Sequence, residues 1–330
     1  MRRLTFFVLF LAALYSGYWF VGARAVAHGA QVAIAQARAE GWDLTYSDMN
    51  TLGFPSRFDT TLSDISIAPR GADWQWAAPF LQVFALSYQP NRVIAAFADD
   101  QTLRIGGQTL QITAEGLRAS AGVAANTALS FDDAAVAVGG VAVASDFGWQ
   151  LGLDRALVAL RAAPAAENRY DAYFDADRIT LPMPVAQQID PTGVLGAVLT
   201  RAVFDSALTF DRPLDRHAVD GRGPAPKATR FTLRNLTLIW GPVEIRAQGA
   251  FDIDPLGNPD GRITFRSDQW REIIDLMVAA GAIDAGLAPT YVTFANALAV
   301  DGGAPEFPLQ FRDGRMSLGP LPIGPAPRFW

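Results

Sequence analysis

The chain has no cysteine among its 330 residues, one lysine (Lys227) and two histidines, His28 and His217. Without a thiol, disulfides, thiolate metal sites and cysteine nucleophiles are excluded. Neither histidine has a second one four residues away, so the His-Glu-x-x-His zinc pattern is absent. His217 lies in a polar stretch and reads as a solvated loop residue. The Gly-x-Ser-x-Gly elbow, the phosphate-binding loop and the Gly-x-Gly-x-x-Gly fingerprint are also missing. The expectation is a protein without a cofactor or bound metal, and not an enzyme.

Acidic residues are absent before Glu40. Arg2, Arg3 and Arg24 are three of the 27 basic residues, which leaves 24 against 33 acidic groups in the rest. That excess of negative charge is a poor match for nucleic acid, whose binding rests on phosphate neutralisation. It also argues against docking on anionic lipid through a polybasic patch.

What the chain does have is a twenty-residue run without charge, Leu4 to Ala23. At roughly 1.5 Å per residue, such a helix spans the ~30 Å hydrocarbon core of a bilayer. Tyr15, Tyr18 and Trp19 gather toward its outer end, where amphipathic rings favour the headgroup region. Ala25-Val26-Ala27 offers a small-residue cleavage site, but the run exceeds the apolar core of a cleavable signal and Arg24 intervenes. The expectation is a retained signal anchor, single-pass, with the bilayer as partner through residues 4–23. Arg2 and Arg3 keep the N-terminus cytoplasmic and send the body outward. Residues 24–40 continue in helical register as a stalk, with Gly41 as the stop.

Beyond Trp42 the periodicity changes from helical to two. Leu62–Ile67, Phe80–Tyr88, Leu110–Ala114, Tyr170–Thr180 and Phe231–Trp240 alternate, the last with a phase shift near Asn235. Turn signals recur at Gly106-Gly107, Asp132-Asp133, Gly139-Gly140 and Gly257-Asn258, and few helical patterns separate the strands. The fold class is therefore mainly β with a few helices: an N-terminal transmembrane helix followed by an extended, curved antiparallel sheet body. The clearest helix starts at Ser267 and runs to Ala280. Its Trp270, Ile273, Ile274, Met277 and Val278 form one buried face. A second covers 289–298, and a weaker pattern covers 191–199. Asp313-Gly314 predicts a closing hairpin, after which Pro320, Pro322, Pro325 and Pro327 should prevent further pairing. The polar, Pro- and Gly-rich stretch 211–228 divides the body into halves, 42–210 and 229–330, behind the anchor and stalk at 1–41.

Two carboxylate patterns invite chemistry. Asp252 to Gly261 has oxygen-bearing side chains and a glycine but not EF-hand spacing, and reads as a hairpin connection. Asp175 and Asp177 share one strand face, as a pair for hydrolysis would. A solvated outer face is the plainer reading. Trp74, Trp76, Phe80 and Phe84 share strand parity and are the candidate ligand-binding residues. Segments such as Val136–Ala144 and Ala156–Ala163 are apolar on both sides. This surplus is explained either by a two-layer core or by a sheet face left apolar to receive lipid or another apolar ligand. The alternative roles are a scaffold for envelope proteins and a carboxylate-dependent hydrolase.

Gly53-Phe54-Pro55-Ser56-Arg57-Phe58 with Leu62-Ser63-Asp64-Ile65, Trp76-Ala77-Ala78-Pro79 and Ser87-Tyr88-Gln89-Pro90-Asn91 resemble the bacterial domain-of-unknown-function family 2125. So does the ending, Phe307–Gly314 and Gly319–Pro327, and the likeness covers essentially the whole chain. The Asp252–Gly261 and closing hairpins are also similar to those of AsmA-like and YdgA-like envelope proteins. Together these resemblances imply a β-rich periplasmic body on the bacterial inner membrane, with roles in lipid or envelope homeostasis, and no catalytic residue to transfer. In the first motif a buried Phe54 is expected, with Arg57 on a nearby carboxylate.

Overall fold

The computed structural model describes residues 1–164, 166–219, 223–299 and 303–330. The chain forms two compact units, Met1–Val123 with Ala137–Gly148, and Ala124–Val136 with Trp149–Trp330. Most of the protein is strand, and the described pairings are antiparallel.

The first unit opens with α1 (Arg2–Ala39), a single unbroken helix. Gly41, at φ 100°, releases the chain into β1 (Trp42–Thr45) and β2 (Asp48–Leu52). These two pair successive stretches of β3 (Arg57–Pro69), whose other side pairs β4 (Trp74–Leu86). The free edge of β4 is then shared. Its end pairs β5 (Gln89–Phe97), which pairs β8 (Arg118–Val123). Its start pairs β6 (Asp100–Ile105), followed by β7 (Gln108–Glu115) and the returning β10 (Gly140–Ser145). The boundary between the units falls inside β9 (Phe131–Val138).

The stalk is not free-standing. Ile34 packs on the cluster of Leu62, Ile65, Ala78 and Ala98, and Arg38 donates to the Leu44 carbonyl at 2.6 and 2.8 Å. Directly after Tyr18, Trp19 and, one turn on, Ala23 are buried against Phe58. Gly22 permits that approach: a Cβ there would lie 2.6 Å from the Phe58 ring.

The second unit is a meander. It runs through β11 (Gln150–Leu153), β12 (Arg155–Ala162), β13 (Arg169–Thr180), β14 (Val198–Phe210), β15 (Ala228–Trp240), β16 (Val243–Ile253) and β17 (Pro259–Arg266). It closes with β18 (Glu306–Arg312), β19 (Arg315–Leu318) and β20 (Leu321–Pro325). Between these lie α2 (Met183–Ile189), α3 (Arg216–Val219), α4 (Trp270–Ala279) and α5 (Ala288–Leu298). The expected phase shift in β15 is a bulge that passes over Arg234 and Asn235, so Leu233 and Leu236 face the same way, opposite Gly249 and Ala247. The result is one apolar sheet face. Phe204, Phe231, Phe251 and Phe311 stack across it at 5.1–6.3 Å, and Phe329 closes the row 5.7 Å from Phe251.

Several expectations change. The stretch 211–228 does not separate the units, because β14 and β15 on either side of it pair along their length. Asp211 closes its base, accepting from Lys227 N–H at 2.9 Å; residues 220–222 lie outside the described residues. Arg212 beside Asp211, with that N–H, holds the Asp211 carboxyl down to about 2. The helix expected at 191–199 is instead α2 followed by a loop, because the Asp190 carboxylate captures the N–H groups of Thr192, Gly193 and Leu195. The terminal prolines do not end pairing: β20 joins β19 with a register shift, since an outer strand tolerates missing N–H donors. The Asp313-Gly314 hairpin is present, with φ 51° and 68°.

Candidate functional site: an apolar cavity beneath helix α4

The amphipathic helix is present as α4, beginning at Trp270, but of its expected buried face Trp270 and Ile274 are buried and Met277 is exposed. Ser267 sits just before the helix and accepts from Gln269 N–H at 3.2 Å. Trp270 and Ile274 pack with Ala295 of α5, while Ile273 and Leu276 reach toward Trp240 and Val243 at the end of the β15–β16 hairpin. The face of α4 thus divides between two clusters, and the space between helix and sheet is not filled.

Two cavities occupy that space. One, about 270 Å3, lies among Phe265, Trp270, Ile274, Tyr291, Phe294 and Phe307. The other, about 330 Å3, is lined by Ile189, Leu195, Leu238, Trp240, Leu276 and Ala280. Ile245, Ile273 and Met277 line both, so the two adjoin. Their walls are hydrocarbon and aromatic almost throughout. Met277 is 41% exposed, which places a flexible thioether between cavity and solvent. Arg266 and Ser267 belong both to the first cavity and to a polar one of about 250 Å3 that includes Arg246 and Asp268. A pocket of this lining offers van der Waals contact to an apolar chain.

The loop after α2 shapes the second cavity. Asp190 Oδ2 accepts from Leu195 N–H at 2.6 Å, turning that leucine into the wall. Burial alone raises the Asp190 pKa. The Thr192 hydroxyl and the N–H groups of Leu195, Gly193 and Thr192 outweigh it and hold the carboxyl below its ordinary value.

The four aromatic residues singled out by strand parity are not brought onto one surface. Trp74 lies 6.0 Å edge-on from Trp42. Trp76 donates to Gln101 Oε1 at 2.8 Å and packs on the cluster of Leu62, Ile65 and Ala78. Leu81, of opposite parity, joins the same cluster. The packing therefore changes phase near Pro79, across from Asp64 with its positive φ of 49°. Phe80 is left exposed and Phe84 half-buried.

Asp175 and Asp177 do lie on one strand, but as parts of an ion-pair ladder. Arg155 and Arg201 stand opposite Asp177 on the flanking strands. Arg155 reaches Asp177 at 2.5 Å and Asp175 at 3.6 Å, and Arg201 reaches Asp175 at 3.1 Å. Burial and the neighbouring Asp175 push the Tyr173 hydroxyl pKa up. Farther along, Arg234 spans Asp171 and Asp205. The Asp252–Gly261 segment is a hairpin connection in which Asp254 accepts from the N–H groups of Leu256 and Asn258. Among the described residues no three histidine or carboxylate side chains converge as metal ligands would.

Phe54 departs from expectation: it is 53% exposed, stacked on Phe20 at 6.0 Å and edge-on to Trp19 at 5.4 Å. Arg57 does meet a carboxylate, Asp59, at 3.0 Å. The amphipathic spacing of α4 marks a helix face turned to the core, but not the cavity beneath it. The strand residues opposite it were ordinary core positions by pattern. A family described as an uncharacterised protein conserved in bacteria (DUF2125) matches residues 19–327. No curated protein and no solved structure matches the chain.

Proposed function

The chain belongs to this uncharacterised bacterial family, and we propose that it is a membrane-tethered, non-enzymatic protein of the cell envelope that binds a lipid hydrocarbon chain beneath α4. The observation that carries the reading is the pair of adjoining apolar cavities with Met277 at their margin. The tether is α1, whose most apolar eighteen-residue window has mean hydropathy 1.8 and is 6% buried in the structure. A soluble core helix of that composition is mostly buried. Cleavage after Ala27 would strip Trp19, Ala23 and Val26 from Phe58, which supports retention of the helix. With Arg2 and Arg3 cytoplasmic, the body lies in the periplasm on the inner membrane.

The test is native mass spectrometry of the full chain released from mild detergent. Lipid adducts are expected on the wild type and should be lost in Ile273→Trp, a variant that fills the shared wall, with the far-ultraviolet circular dichroism unchanged. A wild-type chain that carries no lipid and binds no fluorescent fatty acid would sink the reading. A scaffold role is the second reading. It is favoured by Phe80 and Ile94, both exposed on the side of the first unit's sheet that also carries Phe84. Photo-crosslinking from position 80 to an envelope protein, in cells, would support it.

A further inference from the structure

The first unit meets α1 inside the charge-free run, not beyond it. Tyr18 donates to the Ser87 carbonyl at 2.6 Å, Tyr15 and Ser87 hydroxyls are 3.1 Å apart, and Trp19 Nε1 donates to the Arg57 carbonyl at 2.8 Å. At about 1.5 Å per residue, Tyr18 lies about 21 Å along the helix from Leu4, and Ala23 about 28 Å. A hydrocarbon core of ~30 Å needs the whole run. The loops that touch Tyr15–Phe20 therefore stand several ångströms to the membrane side of its outer end.

Those loops are built for such a position. Segments 49–56 and 79–91 contain no charged residue. Their backbone is paired internally: Arg57 N–H donates to Gly53 O, and Ser87 N–H to Ser56 O, each at 2.9 Å. The side-chain polar atoms of Tyr15, Tyr18 and Ser87 are satisfied among themselves and that of Trp19 by the Arg57 carbonyl, as a lipid environment requires. Beside the exposed polar Asn50 and Ser56, the large side chains these loops present outward are apolar or aromatic: Leu52 is 65% exposed, Phe54 53% and Tyr88 70%.

We propose that Leu52, Phe54 and Tyr88 form a collar that seats the first unit in the outer leaflet of the bilayer crossed by α1. The proposal rests on the reading of Leu4–Ala23 as a membrane span. Its occupant is lipid, at the acyl–headgroup boundary. The loop of the first family motif is then a membrane-contact element clamped to the helix.

The absence of cysteine allows single-site labelling of the full chain. Leu52→Cys, Phe54→Cys and Tyr88→Cys are labelled with an environment-sensitive fluorophore in phosphatidylethanolamine–phosphatidylglycerol vesicles. Leu9→Cys in the helix and Val158→Cys on the second unit serve as references. Labels at 52, 54 and 88 are expected to shift to the blue and to be quenched by lipid-bound nitroxides, as at position 9, while position 158 stays aqueous. Quenching at 9 with aqueous labels at 52 and 88 would overturn the collar and leave the span intact. Aqueous labels at 9 as well would overturn the span and the collar with it. Leu52 and Tyr88 decide the matter if a label at Phe54 disturbs its packing on Trp19.

Discussion

Tyr18 and Ser87, 69 positions apart, are joined by a hydrogen bond of 2.6 Å from the tyrosine hydroxyl to the serine carbonyl. A helix that the sequence presents as an address is thereby part of the folded body. Ser87 is fully buried, so its carbonyl has no water to fall back on. Tyr18→Phe should loosen the seating of α1, read as faster amide exchange at Ser87 and Arg57 in the full chain. Unchanged exchange would mean that Trp19 holds the contact alone.

Gly22→Val tests the same contact by steric means. The new Cβ would meet the Phe58 ring at 2.6 Å, and Phe58 is 4% exposed with little room to retreat. A cost of about 1–3 kcal/mol is expected from overpacking. Gly17→Val, where nothing lies within 4 Å, should be close to neutral apart from helix propensity. Equal effects in denaturant unfolding would contradict the docking.

The two sides of α4 should respond differently to truncation. Ile274, 8% exposed and packed on Ala295, should cost about 2–4 kcal/mol when changed to alanine. Met277→Ala, at a residue 41% exposed and bordering existing space, should cost far less while altering fatty-acid affinity. If Met277→Ala leaves affinity untouched, the ligand does not pass that side chain.

Asp190 carries a pH prediction. Its folded pKa is lowered, so the carboxylate contributes stability fully above its unfolded value and loses it as pH falls through the lower folded value. Asp190→Asn removes an acceptor from Leu195 N–H and should cost about 1–3 kcal/mol at neutral pH. The variant should also lose the part of the acid-limb slope that wild type shows in denaturant titrations. A variant with the same acid slope would show that other carboxylates account for it.

Local patterns were legible where one periodicity governed. Leu233 and Trp240 announced a shifted strand, and the bulge at Arg234-Asn235 is there. Trp270 to Val278 announced a buried helix face, and α4 is there. Parity failed at Trp76 and Phe80, because a positive φ at Asp64 across the ladder is invisible to a count of two. Pro191-Thr192 looked helical because the pattern ignores what Asp190 can reach; three amides prefer its carboxylate to a helix. The cavity is a gap between side chains, and a gap leaves no mark on residue type.

From β13 to β20, every strand of the second unit pairs with the strand that precedes it in the chain. In the first unit β6 reaches back to β4, β8 to β5 and β10 to β7. For a polypeptide emerging amino end first from a ribosome or a pore, the later strands always find their partner already waiting. The hairpins from β15 to β17 and from β18 to β20 close short loops, at little entropic cost, while β18 must wait for α4 and α5. The earlier strands must hold β5 and β7 unpaired on one edge until more chain arrives. Assembly of the first unit is thus the step exposed to delay, and the second can zip shut as it appears.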